Sequence, residues 1–165
     1  MTQPAIDLNN MIDTRPKPDP VWVAYPGSKT FQVLVRFLGN RNQEFIKAAQ
    51  EVVWDKGTMT RIVEMNPDTY AKLFCDFVIV DWRGLTFKDL RILVLIENIK
   101  EARKQLKGDI PCDEGSKLLL FKNSPSFNAW IRAVSKDVET FNEQREQAAE
   151  KKPLRQSSTA STTQA

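Results

Sequence analysis

Histidine, the side chain that most often serves as general base and zinc ligand near neutral pH, is absent from this chain. That absence removes Ser-His-Asp and Cys-His arrangements and the commonest metal sites in one stroke. The two cysteines, Cys75 and Cys112, lie far apart, each beside acidic residues, without the spacing of a metal site or of a secreted disulfide framework, so reduced thiols are expected. The glycines at 27, 39, 57, 84, 108 and 115 are isolated, and none belongs to a Gly-x-Gly-x-x-Gly or Gly-x-x-x-x-Gly-Lys-[Ser/Thr] phosphate loop. Asp76 and Asp81 are the remaining candidates for a carboxylate pair. Their surroundings read as a helix end and a turn, where solvated or capping acids are expected instead of catalytic ones. The residues therefore predict a protein that is not an enzyme and has no catalytic, cofactor-binding or metal site.

Charge and length narrow the classes further. Lys and Arg number 24 against 21 Asp and Glu, a surplus of +3, too small to make a phosphate-binding surface by itself. Nor do Lys47, Lys56, Arg61 and Lys72 interleave with aromatics as a single-strand-binding face requires. No nucleic-acid partner is expected. The first residues carry neither a positive n-region nor an apolar h-region, and no run approaches the ~20 apolar residues that span a bilayer, so a cytoplasmic protein without a membrane partner is expected. A chain of 165 residues suffices for one domain with a real core.

The elements that must position these side chains follow from periodicity. Residues 1–20, with Pro16-Lys17-Pro18-Asp19-Pro20, read as a flexible N-terminal arm. Val21–Tyr25 is β-prone and closes on Pro26-Gly27-Ser28, and Phe31, Val33, Val35 and Phe37 alternate with polar or outward positions, so a hairpin is predicted. Phe45, Ile46, Ala49, Val52 and Val53 fit one helical stripe ending at Asp55-Lys56-Gly57. Met59–Met65 alternates weakly as a strand. Asn66 then caps a helix opened by Pro67 and carrying Tyr70, Leu73, Phe74 and Phe77. Residues 85–96 fit either a buried strand or the apolar half of a helix, whereas 97–106 favours helix.

Asp113 or Ser116 starts a short helix, and Ser124 with Pro125 starts another, whose stripe of Phe127, Trp130, Ile131, Val134, Val138 and Phe141 is read as continuous. The fold class predicted is α+β: an N-terminal β-hairpin or small antiparallel sheet packed with a mainly helical C-terminal part, with disordered ends. The single domain spans 21–142, and 143–165 forms a charged, then Ser/Thr-rich, flexible tail with Pro153 ending any helix. The core is predicted to hold Phe31, Val33, Val35, Leu73, Phe77, Trp130, Ile131 and Val134. Trp82 is expected to pack over the preceding helix while Gly84 supplies a positive-φ corner; an aromatic held on a turn for binding is the other reading. Trp22, Tyr25 and Trp54 stand near element ends, where a partner interface and a structural role both fit.

Three blocks recur in order: Val80-Asp81-Trp82-Arg83-Gly84-Leu85, Ile110-Pro111-Cys112-Asp113-Glu114, and Asn123-Ser124-Pro125-Ser126-Phe127-Asn128-Ala129-Trp130-Ile131. Over about residues 30 to 142 the chain thereby resembles the tail assembly chaperones of long-tailed bacteriophages and prophages, which carry a "DW-K/R-G" turn, an "IP-F/C-S/D-x-E" helix start and a last helix opening at Ser or Asn. Cys112 departs from the aromatic more usual at its position, and Glu114-Gly115 replaces a helix-favouring pair. The resemblance implies a protein of the host cytoplasm that binds the tape measure protein, with the tail tube protein as a second candidate partner, keeps the tape measure soluble for tube assembly, and is lost from the finished particle. It also implies a frameshifted longer product, for which the codons of Glu150-Lys151-Lys152 are a candidate site; a solvated helix end explains the same residues. A structural virion component, such as a tail terminator or minor tail protein, and a nucleic-acid-binding regulator are the alternatives.

Overall fold

In the computed structural model, which describes residues 7–151, strands β1 (Val21–Ala24) and β2 (Gln32–Val35) form the expected hairpin. Val21 pairs with Val35 and Ala24 with Gln32. The alternation predicted for the second strand holds: Phe31, Val33 and Val35 are wholly buried. A third strand, β5 (Ile79–Arg83), joins β2 antiparallel, giving the order β1-β2-β5. It contains Asp81 and Trp82, so the Asp-Trp-Arg-Gly block is a strand leading into a turn and not a turn throughout.

Helix α1 (Arg41–Ala48) is shorter than its sequence stripe, because Val52 and Val53 lie in strand β3 (Gln50–Asp55). Spacing of three and four suits Ala49, Val52 and Val53 to a helix, but the β-branched pair and Trp54 suit a strand equally. Pairing with β4 (Thr60–Met65) decides the matter: the two run antiparallel from Gln50↔Met65 to Asp55↔Thr60. Asp55 closes the turn by accepting from the Gly57 amide at 2.9 Å and the Thr58 hydroxyl at 2.6 Å.

Helix α2 (Pro67–Val78) starts as predicted, with the Asn66 side chain accepting from the amides of Asp68 and Thr69 and proline at the first turn. Its buried arc holds Tyr70, Ala71, Phe74, Cys75, Phe77 and Val78, which leaves Leu73, expected in the core, half-buried at the edge and outside it. The ambiguous stretch resolves into α3 (Phe87–Leu93), an extended break, and α4 (Ile99–Gln105). Val94 ends α3 in extended geometry, and Asn98 restarts helix by accepting from the Glu101 amide at 3.1 Å. The run Val94-Leu95-Ile96 is therefore neither strand nor helix. Asp113 caps α5 (Glu114–Asn123), its side chain accepting from the Ser116 amide at 2.7 Å.

The stripe from Phe127 to Phe141 is divided between α6 (Pro125–Val134) and α7 (Val138–Glu150). Ser135 is buried; its hydroxyl donates to the Arg132 carbonyl at 3.0 Å and its own carbonyl accepts from Leu38 at 2.8 Å, which stops α6. Asp137 then caps α7, and Val138 is exposed, off the stripe assigned to it. Trp130 and Val134 are half-buried, packed against the core without being sealed in it. The described part of the arm lies against the body: Pro18 is buried, its carbonyl accepts from Arg36, and Asp13 pairs with Arg145 of α7 at 3.0 Å. Pro153 and the Ser/Thr-rich run fall outside the described residues.

The core is aromatic where sheet and helices meet. Phe31 stacks on Phe127 at 6.1 Å and meets the edge of Trp82, while Tyr25 stands edge-on to Trp130 at 5.0 Å. Gly84 is indispensable to this corner. Its φ is 69°, and a Cβ there would come within 2.0 Å of the Thr30 carbonyl oxygen.

Candidate functional site

The Asp-Trp-Arg-Gly corner fixes the floor of an apolar groove. Trp82 is buried, its indole N–H donates to the Ile110 carbonyl at 2.8 Å, and the Ile110 amide donates to Leu85 at 2.7 Å. Those two bonds hold the segment between α4 and α5 against the end of β5. Over this floor, α3 and the break after it supply Leu90, Val94 and Leu95; the far wall is Leu119 and Leu120 of α5. The groove encloses about 340 Å³, and Ser116 and Asn123 are its polar side chains. That volume and that apolar lining lie within the range of small-ligand and side-chain pockets.

Its rim is what sets the groove apart. Leu95 is fully exposed and Leu119 is 65% exposed, with Ile92 and Ile99 also in solvent nearby in the chain. Scattered exposed leucines are ordinary, but leucines lining one concave surface mark a place for apolar ligand groups. The break at Val94–Asn98 creates the rim, since an uninterrupted helix would turn Leu95 along with its neighbours instead of leaving it in open backbone. Each leucine-sized group seated there would gain about 1.5–3 kcal/mol from burial.

Alongside α3, a buried carboxylate anchors one wall. Asp89 accepts from the Thr86 amide and hydroxyl at 3.0 and 2.8 Å, from Ser28 and from Thr30. Burial pushes its carboxyl up, but the hydrogen bonds from Ser28, Thr86 and Thr30 outweigh that effect and hold it below the usual carboxylate value. The β1–β2 turn and the first turn of α3 are thereby tied together, so the groove wall is braced from the sheet side.

The residues singled out from sequence for chemistry are dispersed. Asp76 is exposed on α2 and Asp81 is exposed on β5, where it accepts from the Trp82 amide. Cys75 is buried and its thiol is pushed up to about 12, chiefly by burial; Cys112 is half-buried and pushed up to about 11 for the same reason. Both stay protonated at neutral pH. Among the aromatics, Tyr25 is buried, Trp22 lies beneath the Arg83 guanidinium at 4.2 Å, and Trp54 is exposed on β3. Lys72 pairs with Glu114 at 2.7 Å, a surface bridge between α2 and α5. Sequence reasoning missed Leu95 and Leu119, for which the one available signal was Asn98 followed three residues later by Glu101, a helix start that breaks the apolar run.

Comparison of the chain with protein-family models, curated proteins and solved structures returns no match. Among the described residues, no helix is long and apolar enough to cross a membrane, and no cluster of three or more Cys, Asp or Glu side chains is placed to hold a metal ion.

Proposed function

We propose that the chain is a non-catalytic tail assembly chaperone of a long-tailed phage, which takes an apolar helical stretch of the tape measure protein into the groove between α3, α4 and α5. The observation that carries this reading is the groove itself: a floor set by the hydrogen-bonded Trp82, leucine walls and a rim left in water. An amphipathic helix laid in such a groove anchors through residues spaced by three and four. Of the sequence blocks that resemble the chaperone family, the first supplies the floor (Trp82), the second the segment bonded to it (Ile110), and the third one lining residue (Asn123), which supports seating the client here. In this reading the protein works in the host cytoplasm, needs no cofactor, leaves the assembly before the virion is complete, and has the tail tube protein as a second candidate partner.

A structural virion role is the second reading. The β3–β4 hairpin favours it, since its apolar face and its strand edges are open to a neighbouring subunit. Co-expression with the tape measure protein separates the two. Recovery of a soluble complex of the two chains, with this chain absent from purified particles, supports the chaperone; a stable ring of this chain alone, retained in particles, rejects it.

A further inference from the structure

Arg132 of α6 is held in an unusual way. Its guanidinium carbon lies 5.2, 5.6 and 5.1 Å from the ring centroids of Tyr70, Phe74 and Phe121. Its Nε donates to Asn128 at 2.7 Å and one terminal nitrogen donates to the Tyr70 hydroxyl at 3.3 Å. No carboxylate lies within ion-pairing distance of it among the described residues, and where Arg36, Arg83 and Arg103 each lie over one ring, Arg132 lies over three. The half-buried charge is therefore met by π-faces and neutral acceptors alone, and its second terminal nitrogen has no hydrogen-bond partner among the described residues.

That guanidinium lines a depression of about 250 Å³ together with Met65, Pro67, Ala71, Phe121 and Lys122. Asp68 also lines it but is bound to Lys122 at 2.6 Å, which leaves the depression with the charge of Arg132 in excess. Met65 connects it to the hairpin. By register, Gln50/Met65, Val52/Val63 and Trp54/Arg61 share one face of β3–β4, and that face is exposed throughout: Val52 is 65% and Val63 62% in solvent. The apolar strip is thus bracketed by cations, Arg61 at the turn end and Arg132 at the base. Glu51 and Glu64 fall on the opposite face.

We propose that the Arg132 pocket and the adjoining Val52–Trp54–Val63–Met65 face form a docking site for a partner polypeptide segment in which a carboxylate side chain is flanked by apolar residues. The apolar groups lie on the hairpin face while the carboxylate accepts from the free guanidinium nitrogen. Charge selects this occupant over a second copy of the chain. Two hairpin faces brought together would oppose Arg61 and Arg132 to their own equivalents. The face also measures only about 20 by 10 Å, far below the roughly 800 Å² per partner of a stable interface. The site is separate from the leucine groove, because α5 turns Leu119 and Asn123 toward one and Phe121 and Lys122 toward the other.

The test is a peptide array in which a central Glu, Gln or Lys is set among varied valine and leucine neighbours, probed with the full chain. Glu peptides should be captured, with their Gln counterparts about tenfold or more weaker, the loss of one charge-assisted contact. Because this comparison alters only the peptide, folding of the protein does not enter. Arg132→Gln should erase the Glu preference; if circular dichroism shows that variant unfolded, Arg61→Gln and Lys122→Gln, both on exposed side chains, should each reduce it. Leu119→Asp in the groove should leave the preference intact, so failure of the chaperone reading would not mimic failure here. Equal capture of Glu and Gln peptides, absence of capture of any, or formation of a dimer through the hairpin in sedimentation would overturn the proposal.

Discussion

Two hairpins built from the same residue types meet opposite fates in this molecule. In β1–β2, Val33 and Val35 are wholly buried, because β5 extends the sheet and α6 brings Phe127 onto its face. In β3–β4, Val52 and Val63 face water, since no other element among the described residues covers that side. An isolated two-stranded ribbon is marginal in water, and this one stays in place through its turn and through the Asn66–Ala49 backbone bond that joins it to α1 and α2. Alternation thus reports that a strand exists, while a partner on the face decides whether it is core or contact surface.

Substitution of one apolar residue in each hairpin should expose this difference most strongly. Phe31→Ala should cost about 3–5 kcal/mol in denaturant unfolding, by loss of burial and by the cavity left against Phe127 and Trp82; Val52→Ala should stay within about 0.5 kcal/mol. Similar costs at both sites would mean that the second hairpin is covered. Gly84→Ala should be next, upward of about 2 kcal/mol, since a Cβ must displace the Thr30 backbone and adopt a positive φ. No equivalent sensitivity is expected at Gly57 in the turn of the exposed hairpin, where the nearest contact is 3.4 Å and a side-chain oxygen.

Asp89 sharpens the contrast through pH. Its carboxyl is held below the ordinary value of 3.8 in the folded chain, so the unfolded chain takes up its proton first as pH falls. The stabilisation is complete above that value and is lost as pH drops through the folded one. Asp89→Asn should lower stability at pH 7 by about 1–3 kcal/mol and flatten the acid limb of a melting-temperature profile below pH 4. An unchanged acid limb would show that the Ser28–Asp89–Thr86 network contributes nothing. Smallest is truncation after Asn142, which removes the Arg145 partner of Asp13. Asp13 keeps Arg15, whose hydrogen bond is the main reason its carboxyl lies well below the usual range, so the change should be within about 1 kcal/mol by thermal melting.

Legibility in the sequence followed the range of the forces involved. Asn66-Pro67, Asp113 and Ser124-Pro125 act within one helical turn, and each starts a helix where its residue type predicts. The first hairpin was equally plain, because its two strands and turn are adjacent. What failed depended on distant pairing or on competing periods. Val52 and Val53 satisfied a helix until Ile62 and Val63 paired with them; Phe127 to Phe141 kept a helical spacing across a break made by Ser135 and Asp137. The groove was the least legible. Leu93 is buried and Leu95, two residues on, is fully exposed, and nothing in their types separates them.

The most direct measurement is the amount of tape measure protein kept soluble on co-expression with the parent chain and with Leu119→Asp, each variant's thermal stability being determined in parallel. Leu119 is exposed, so the aspartate should leave the melting temperature nearly unchanged while it places a charge on the groove wall. The expected result is a soluble complex with the parent chain and a loss of about tenfold or more in soluble tape measure with Leu119→Asp. Equal solubilisation by both proteins would contradict the assignment of the groove as the client site.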